Sequence, residues 1–457
     1  MERDKKRIVL LVLLCLLLNP GWSTYAEGLP GTAFITGQEF SGHPFRDNGQ
    51  GEERGEPEDR NCSDNDASLV ITEERELATV KEQIEECPDP WDGYLVKLKS
   101  GVLEQESAAL MEEEVSGLIN DETEQMITGD VLLLHEEASV ANLLQSGVAD
   151  YAEPNWEVEL MDVTAEETIS VIHGWAYEAM AIDAARAQGL TGKGVRIGII
   201  DSGVDFTHPD LENAVILEGY NYVEKTTAVT DEVGHGTKVT RLIVGEEDQY
   251  PVTGIAAEAE IVPLQCFSSS TTHVADLLRP ITDAVDQYNC DIINMSWGLK
   301  TLSGSHSQMM KETVEHAWEH GVVMVAAAGN VSSSYPAGSL LYPAAYDHVI
   351  GVGAVNQNLT VASYSQQTAA VYVAAPGTSV VDGLNGTSFA CPCVSGAAAL
   401  LLQEDPALTP AELMKKLQDY AVDLGEDGYD TSSGWGFLQM DRLVGHVVIS
   451  LEIQEPQ

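Results

Sequence analysis

Positive charge is what this chain has least of: its 457 residues hold 23 Lys and Arg against 73 Asp and Glu, a formal charge of −50. Such a surface repels phosphates, which disfavours nucleic acid, acidic substrates and anionic lipid as partners. Basic peptides and calcium ions are compatible with it. Cysteine is also scarce. One of the seven falls in an N-terminal apolar run, and positions 62, 87, 266, 290, 391 and 393 follow no zinc-ligand spacing. Free, partly buried thiols are the expected state, with a Cys266–Cys290 pair left open. Cys391 and Cys393 are too close at a helix start to pair with each other. Beyond Leu18 no apolar run is long enough to cross a bilayer.

The two ends and the composition divide the chain. Residues 1–26 read as a secretory signal, with a mostly basic start, the apolar run Ile8 to Leu18 and a small-residue context at Thr24-Tyr25-Ala26. Extracellular export follows from that reading; an uncleaved anchor holding the chain at the cell surface is its alternative. Residues 27–90 form an acidic linker, Gly-, Glu-, Asp- and Asn-rich to about 68, with a disorder signature and a short helical patch near Glu73 to Glu86. Residues 91–161 look like a small α+β unit: strands at Tyr94–Leu98 and Asp130–His135, a helix at Ser139–Leu144 and an extended piece at Ala149–Leu160. From 175 to 446, β-rich apolar runs alternate with helical periods, which predicts an α/β domain with a mostly parallel sheet between helices. Residues 447–457 are left as a tail. Charge marks the same division, because residues 51–170 carry 33 Asp and Glu but 6 Lys and Arg. No Lys or Arg occurs between Lys99 and Arg186.

Three short segments carry the chemistry. Asp201 stands in I-I-D-S-G-V-D, His235 in G-H-G-T-K-V and Ser388 in N-G-T-S-F-A-C-P. A hydroxyl that attacks an amide needs an imidazole to take its proton and a buried carboxylate to orient that imidazole. Asp201 ends an apolar strand, where a carboxylate is costly unless paired; Ser202 and Gly203 are the nearest donors. Glycine on both sides leaves His235 open to Asp201 and Ser388 within about 2.6–3.2 Å. Ser388 opens an Ala- and Leu-rich helix, where unpaired N–H groups favour a forming oxyanion. Read one at a time, Asp201 and Ser388 are ordinary caps and His235 an ordinary core histidine.

Taken together with I-I-N-M-S-W-G around Ser296, A-A-A-G-N ending at Asn330 and V-A-A-P-G-T around Pro376, these segments resemble the subtilisin-like serine proteases, or subtilases, from about Trp175 to Val444. The resemblance implies a three-layer α/β domain that hydrolyses peptide bonds through an acyl-enzyme on Ser388, without a cofactor. It also implies an oxyanion donor in Asn330 and substrate-binding walls at Ser296, Trp297 and Gly298 and at Ala327 and Gly329. The 91–161 unit then resembles the family's ferredoxin-like propeptide, a chaperone and inhibitor removed by a cut between Glu157 and Gly174. Protein or peptide substrates and the propeptide itself are the implied partners, and a monomer is expected. Asp210 matches a family calcium ligand, and Asp248 lies in a loop of the family's calcium-binding length; solvated surface acids account for both equally well. Lys238, Thr240, Arg241, Cys391 and Cys393 depart from the family pattern, which puts the packing of the His235 helix in doubt and makes thiol sensitivity at Cys391 an expectation. His135, set among acids, is a candidate for acid-triggered propeptide release. A peptide-binding domain without catalysis is the competing reading, which an intact triad opposes.

Overall fold

The computed structural model describes residues 23–25, 34–36, 69–73, 76–77, 80, 91–100, 125–161, 174–245, 254–299 and 306–443. Most of the signal and the acidic linker, the loop holding Asp248, residues 162–173 and the tail lie outside the described residues. The chain divides into Met1–Glu58 and Asp59–Gln457. In the first unit Ser23–Tyr25 pairs antiparallel with Phe34–Thr36, so the disorder reading does not extend to that aromatic and β-branched triplet.

Within the second unit, residues 91–161 build an antiparallel sheet in the order Gln125–Thr128, Val131–Leu134, Trp91–Leu98, Ala149–Leu160. By sequence rank that is 2-3-1-4, the order of a ferredoxin-like sheet. The helix Glu137–Ser146 covers one face with Val140, Leu143 and Leu144 and ends at Gly147, whose φ of 74° suits glycine. Each strand expected from alternation is present within a few residues. The last one, Ala149–Leu160, is longer than its own sheet requires.

From residue 196 onward seven strands form one parallel sheet in the order Val373–Pro376, Val349–Val355, Val323–Ala327, Ile292–Met295, Arg196–Asp201, Glu260–Gln265, Val215–Ile216; Tyr220–Asn221 also pairs with Glu260–Gln265. The strands are apolar on both faces, as burial from two sides demands. One buried cluster joins the sheet to the helices His235–Val244 and Thr387–Glu404. The other joins the opposite face to Ala275–Asp286 and Gln308–Glu319, and continues into the core of the 91–161 unit. Thr387 to Leu402 are buried without interruption, because this helix is apolar on every side. At the outer helix Pro410–Tyr420, Thr409 and Glu412 close a capping box, an N-terminal device worth roughly 1 kcal/mol.

Candidate active site

Asp201 is the last residue of its strand, Ser296 follows Met295 at the end of the next one, and Asn330 lies just past Val323–Ala327. All three sit at the carboxyl edge of the parallel sheet, where α/β folds collect their ligands. His235 opens a helix from across that edge, and Ser388 is in the first turn of the central helix.

The residues expected as acid and base are in contact. His235 Nδ1 lies 2.7 Å from Asp201 Oδ1, with the two side chains 2 % and 1 % exposed. An ionised carboxylate only accepts, so Nδ1 carries the proton and Nε2 keeps the lone pair a base requires. Ser202 N–H donates to the same Oδ1 at 2.7 Å, supplying the expected neighbouring donor. Gly203 has another role: its carbonyl oxygen would stand 2.3 Å from a Cβ on Gly236. Only glycine at 236 lets the histidine helix come this close to the aspartate strand. The helix start is held by Asp231, which the sequence reading missed. Its carboxylate accepts from Gly234 N–H and Thr237 N–H at 2.7 and 2.8 Å, from the Thr237 hydroxyl and from Ser202 Oγ. Asp231 stands three residues before the N-cap Gly234, away from the position where a capping residue is read from sequence. Lys238, one turn along, donates Nζ to Gly234 O at 2.8 Å, so the departure there closes the helix entrance rather than disturbing it.

Ser388 differs from expectation. Its hydroxyl is buried and makes no hydrogen bond. The His235 ring is nonetheless 5.6 Å, centroid to centroid, from the ring of Phe389, the next residue along. A serine rotor closes to its base when the reacting complex tightens, so an open contact is compatible with general-base work.

The carbonyl oxygen of Met161 explains the site's geometry. It accepts from Asn330 Nδ2 at 2.8 Å and from Ser388 N–H at 3.1 Å. Thr387 fixes the amide's direction, since its N–H and hydroxyl both donate to Asn330 Oδ1 at 3.0 Å. Two donors thus converge on one carbonyl oxygen, which is the arrangement that stabilises an oxyanion.

Met161 is delivered by the overlong strand. Glu157 to Leu160 run between two short strands, pairing antiparallel with Thr271–His273 on one side and with Trp297–Leu299 on the other. Met161 N–H then donates to Ser296 O at 3.1 Å. Val158, Leu160 and Met161 are buried while Glu157 and Glu159 are partly exposed. A Cβ on Gly298 would come 2.4 Å from Met161 Cε, so this glycine makes the room for the methionine side chain. Trp297 contributes backbone, its indole N–H being turned down to Ile200 O at 3.0 Å. Ala327 and Gly329 are at the same sheet edge, where Gly329 N–H donates to Thr387 Oγ1 at 3.2 Å. Ser296 Oγ donates to Ser388 O at 2.9 Å, tying the wall strand to the serine helix.

Two polar side chains of the 91–161 unit cap helices of the larger domain. Glu153 accepts from Ser307 Oγ at 2.5 Å, from Gln308 N–H at 2.8 Å and from Met309 N–H at 3.3 Å, at the start of Gln308–Glu319. Asn155 Oδ1 accepts from Ala275 N–H at 3.0 Å, at the start of Ala275–Asp286. Glu153 is 1 % exposed, and burial pushes its carboxyl up from 4.5 to about 7 against the bonds from Ser307, Gln308 and Met309; nearby Glu312 adds to the rise. His135 Nε2 lies 3.3 Å from Asp92 of its own unit.

The other departures also resolve. Cys266, Cys290, Cys391 and Cys393 are free and buried. Burial raises all four thiols, Cys290 and Cys393 to about 12, so they stay protonated and unreactive and the expected thiol sensitivity at Cys391 has no thiolate behind it. Asp210 is engaged through one of its two oxygens, and Oδ1 is buried without a hydrogen-bond partner. Its Oδ2 is 2.7 Å from Arg241 Nε, both side chains being buried, and a calcium ion would have to share that carboxylate with a fixed guanidinium. Asp248 lies outside the described residues.

No helix among the described residues is long and apolar enough to cross a membrane. The family model described as "Subtilase family" matches residues 192–436. Subtilisin DY of Bacillus licheniformis is 36 % identical over 255 residues, covering 54 % of this chain and 90 % of its own length. The minor extracellular protease Epr of Bacillus subtilis is 33 % identical over 325 residues, 68 % of this chain but 48 % of Epr. Among solved structures, fervidolysin from Fervidobacterium pennivorans, a keratinolytic enzyme related to subtilisin, matches with a TM-score of 0.63 at 23 % identity, over 79 % of this chain and 62 % of that one. The match spans the sheet edge where these side chains meet, and the chain belongs to the subtilase family of serine endopeptidases.

Proposed function

We propose that the chain is an exported precursor whose Asp201, His235 and Ser388 cut the bond after Met161, releasing residues up to 161 as an inhibitory propeptide. One observation carries this reading: the Met161 carbonyl oxygen accepts from both Asn330 Nδ2 and Ser388 N–H, while the Met161 N–H is bound to Ser296 O. The peptide before the bond is therefore held as a substrate is held. Ser388 Oγ adds to the Met161 carbonyl carbon as His235 Nε2 takes its proton, and the oxyanion is stabilised by Asn330 and the Ser388 amide. His235 gives that proton to the leaving nitrogen of Asp162. Water, deprotonated by His235, then releases the Met161 carboxylate from the ester. Catalysis needs no metal ion or cofactor in this scheme.

The same groove defines the substrate class. Main-chain pairing on both sides accepts any extended peptide, and the buried Val158, Leu160 and Met161 mark apolar preferences at the fourth, second and first positions before the cut. Export rests on the signal-like N-terminus and on extracellular relatives such as Epr. The test is mass spectrometry of the secreted product. A mature chain beginning at Asp162, with a Ser388→Ala chain remaining joined across that bond, is the expected result. Full processing of Ser388→Ala without a helper protease would overturn the self-cutting reading.

A further inference from the structure

Asp210 leads to a wider arrangement. Arg241, 3 % exposed on the His235 helix, donates Nε to Asp210 Oδ2 and Nη1 to Asp382 Oδ2, each at 2.7 Å. Asp210 sits in the turn Pro209–Leu211, nine residues past Asp201. Asp382 sits at the tip of the hairpin Thr378–Val381 and Leu384–Asn385, which runs into Ser388 three residues later. One guanidinium therefore joins the three segments that carry the acid, the base and the nucleophile. We propose that Arg241 is a built-in replacement for the structural calcium implied by the family resemblance at Asp210, holding these segments together without metal.

The charge balance supports a replacement rather than coexistence. A buried carboxylate needs a cation or donors, and here the guanidinium supplies a positive charge and a donor to Oδ2, while Oδ1 has no hydrogen-bond partner. The second carboxylate, half out in solvent, completes the guanidinium's pairing. A calcium ion at Asp210 would have to share a carboxylate already bound to a guanidinium only 2.7 Å away, and the two cations would repel each other across that oxygen pair.

The test uses the full-length Ser388→Ala chain, so that self-digestion does not blur melting. Its midpoint is compared in chelator and in millimolar calcium, alone and with Arg241→Ala, Arg241→Lys or Asp382→Asn added. The expected results are a calcium response near zero in the parent, a fall of roughly 10 °C in Arg241→Ala, and partial recovery of that variant by calcium as Asp210 is freed. Arg241→Lys keeps the charge and loses less, without gaining a calcium response. If Arg241→Ala does not fold, Asp382→Asn carries the comparison through a smaller, calcium-insensitive loss. A calcium gain equal in the parent and in Arg241→Ala, or a parent that melts lower in chelator while Arg241→Lys does not, would overturn the proposal.

A different observation carries a second site. His316 and His320 stand one turn apart on the helix Gln308–Glu319 and its end, and Asp286 closes the neighbouring helix. Their ligand atoms lie within 4.8 Å of one another. His316 Nε2 is 3.0 Å from Asp286 Oδ1, near the roughly 3.3 Å separating two ligands of a tetrahedral zinc. His320 Nδ1 is 2.8 Å from His316 O, which can only accept, so Nδ1 carries the proton and Nε2 keeps its lone pair. We infer that these three side chains bind a borderline divalent ion of the zinc, nickel or copper class, bridging the two helices. Titration of the full-length Ser388→Ala chain with zinc sulfate, and with cobalt(II) read by its visible absorption, should give one equivalent with tetrahedral bands. His316→Ala and His320→Ala should each lose it. Undiminished binding in both variants, or none in the parent, would overturn the site.

Discussion

The two halves of the strand Ala149–Leu160 obey different rules. Its first half pairs with Trp91–Leu98 and packs into a core shared with the larger domain, two of whose helices it caps with Glu153 and Asn155. Its second half has no partner in that unit and completes a sheet between Thr271–His273 and Trp297–Leu299. The first half is specified by side-chain packing, the second by main-chain hydrogen bonds that any extended peptide could make. On the proposed reading, an inhibitory propeptide and a substrate would differ in what stands behind them rather than in how they meet this groove. Behind the second half are a folded sheet and two helix caps, Glu153 and Asn155.

That contrast can be broken most forcefully at the chemistry. Ser388→Ala should leave the chain joined at Met161 and lower peptide hydrolysis roughly 10⁶-fold, the loss known for the subtilisin serine itself. A residual activity near wild type, measured with a chromogenic peptide on the Ser388→Ala chain cut in trans by a helper protease, would mean another nucleophile. Asn330→Ala removes one of the two donors to the Met161 oxygen. Turnover should fall roughly 10²–10³-fold with little change in KM, again a figure from subtilisin. Met161→Asp tests the second half of the strand, because it buries a carboxylate in the space left by Gly298. Processing, followed by gel electrophoresis over time, should slow by about 10²-fold or more, whereas Met161→Leu should cut nearly as fast.

The smallest effect tests the first half. Glu153 has its carboxyl raised from 4.5 to about 7 in the bound state. A raised pKa means that binding takes up a proton. Retention of the cleaved piece is therefore strongest below about 4.5 and declines as pH climbs through about 7. Between pH 5 and 8 the dissociation constant should rise, by at most about 10²-fold, and Glu153→Gln should flatten that slope. Acid would then tighten the complex, the opposite of release triggered at His135.

The long elements were legible in the sequence because periodicity needs length. Val349–Val355 and the serine helix carry their own signal over seven and eighteen residues. Thr271–His273 and Trp297–Leu299 could not be read that way; three residues show no period, and they are strands only because another segment lies between them. The proposed catalytic trio was legible because glycines frame it, and Gly236 shows why they must. Arg241 was visible as a departure but not as a clamp, since its partners are 31 and 141 residues away. Met161 was missed for a related reason: a lone methionine after a strand looks like any core residue until the oxygen beside it finds two donors.

Ser388 is rooted in a helix whose first sixteen residues are sealed inside the protein. The nucleophile therefore inherits the rigidity of the core, and softening one softens the other. Anyone seeking a version that works in the cold should leave this central rod alone and loosen the rim of the groove, where Thr271–His273 remains partly open to solvent.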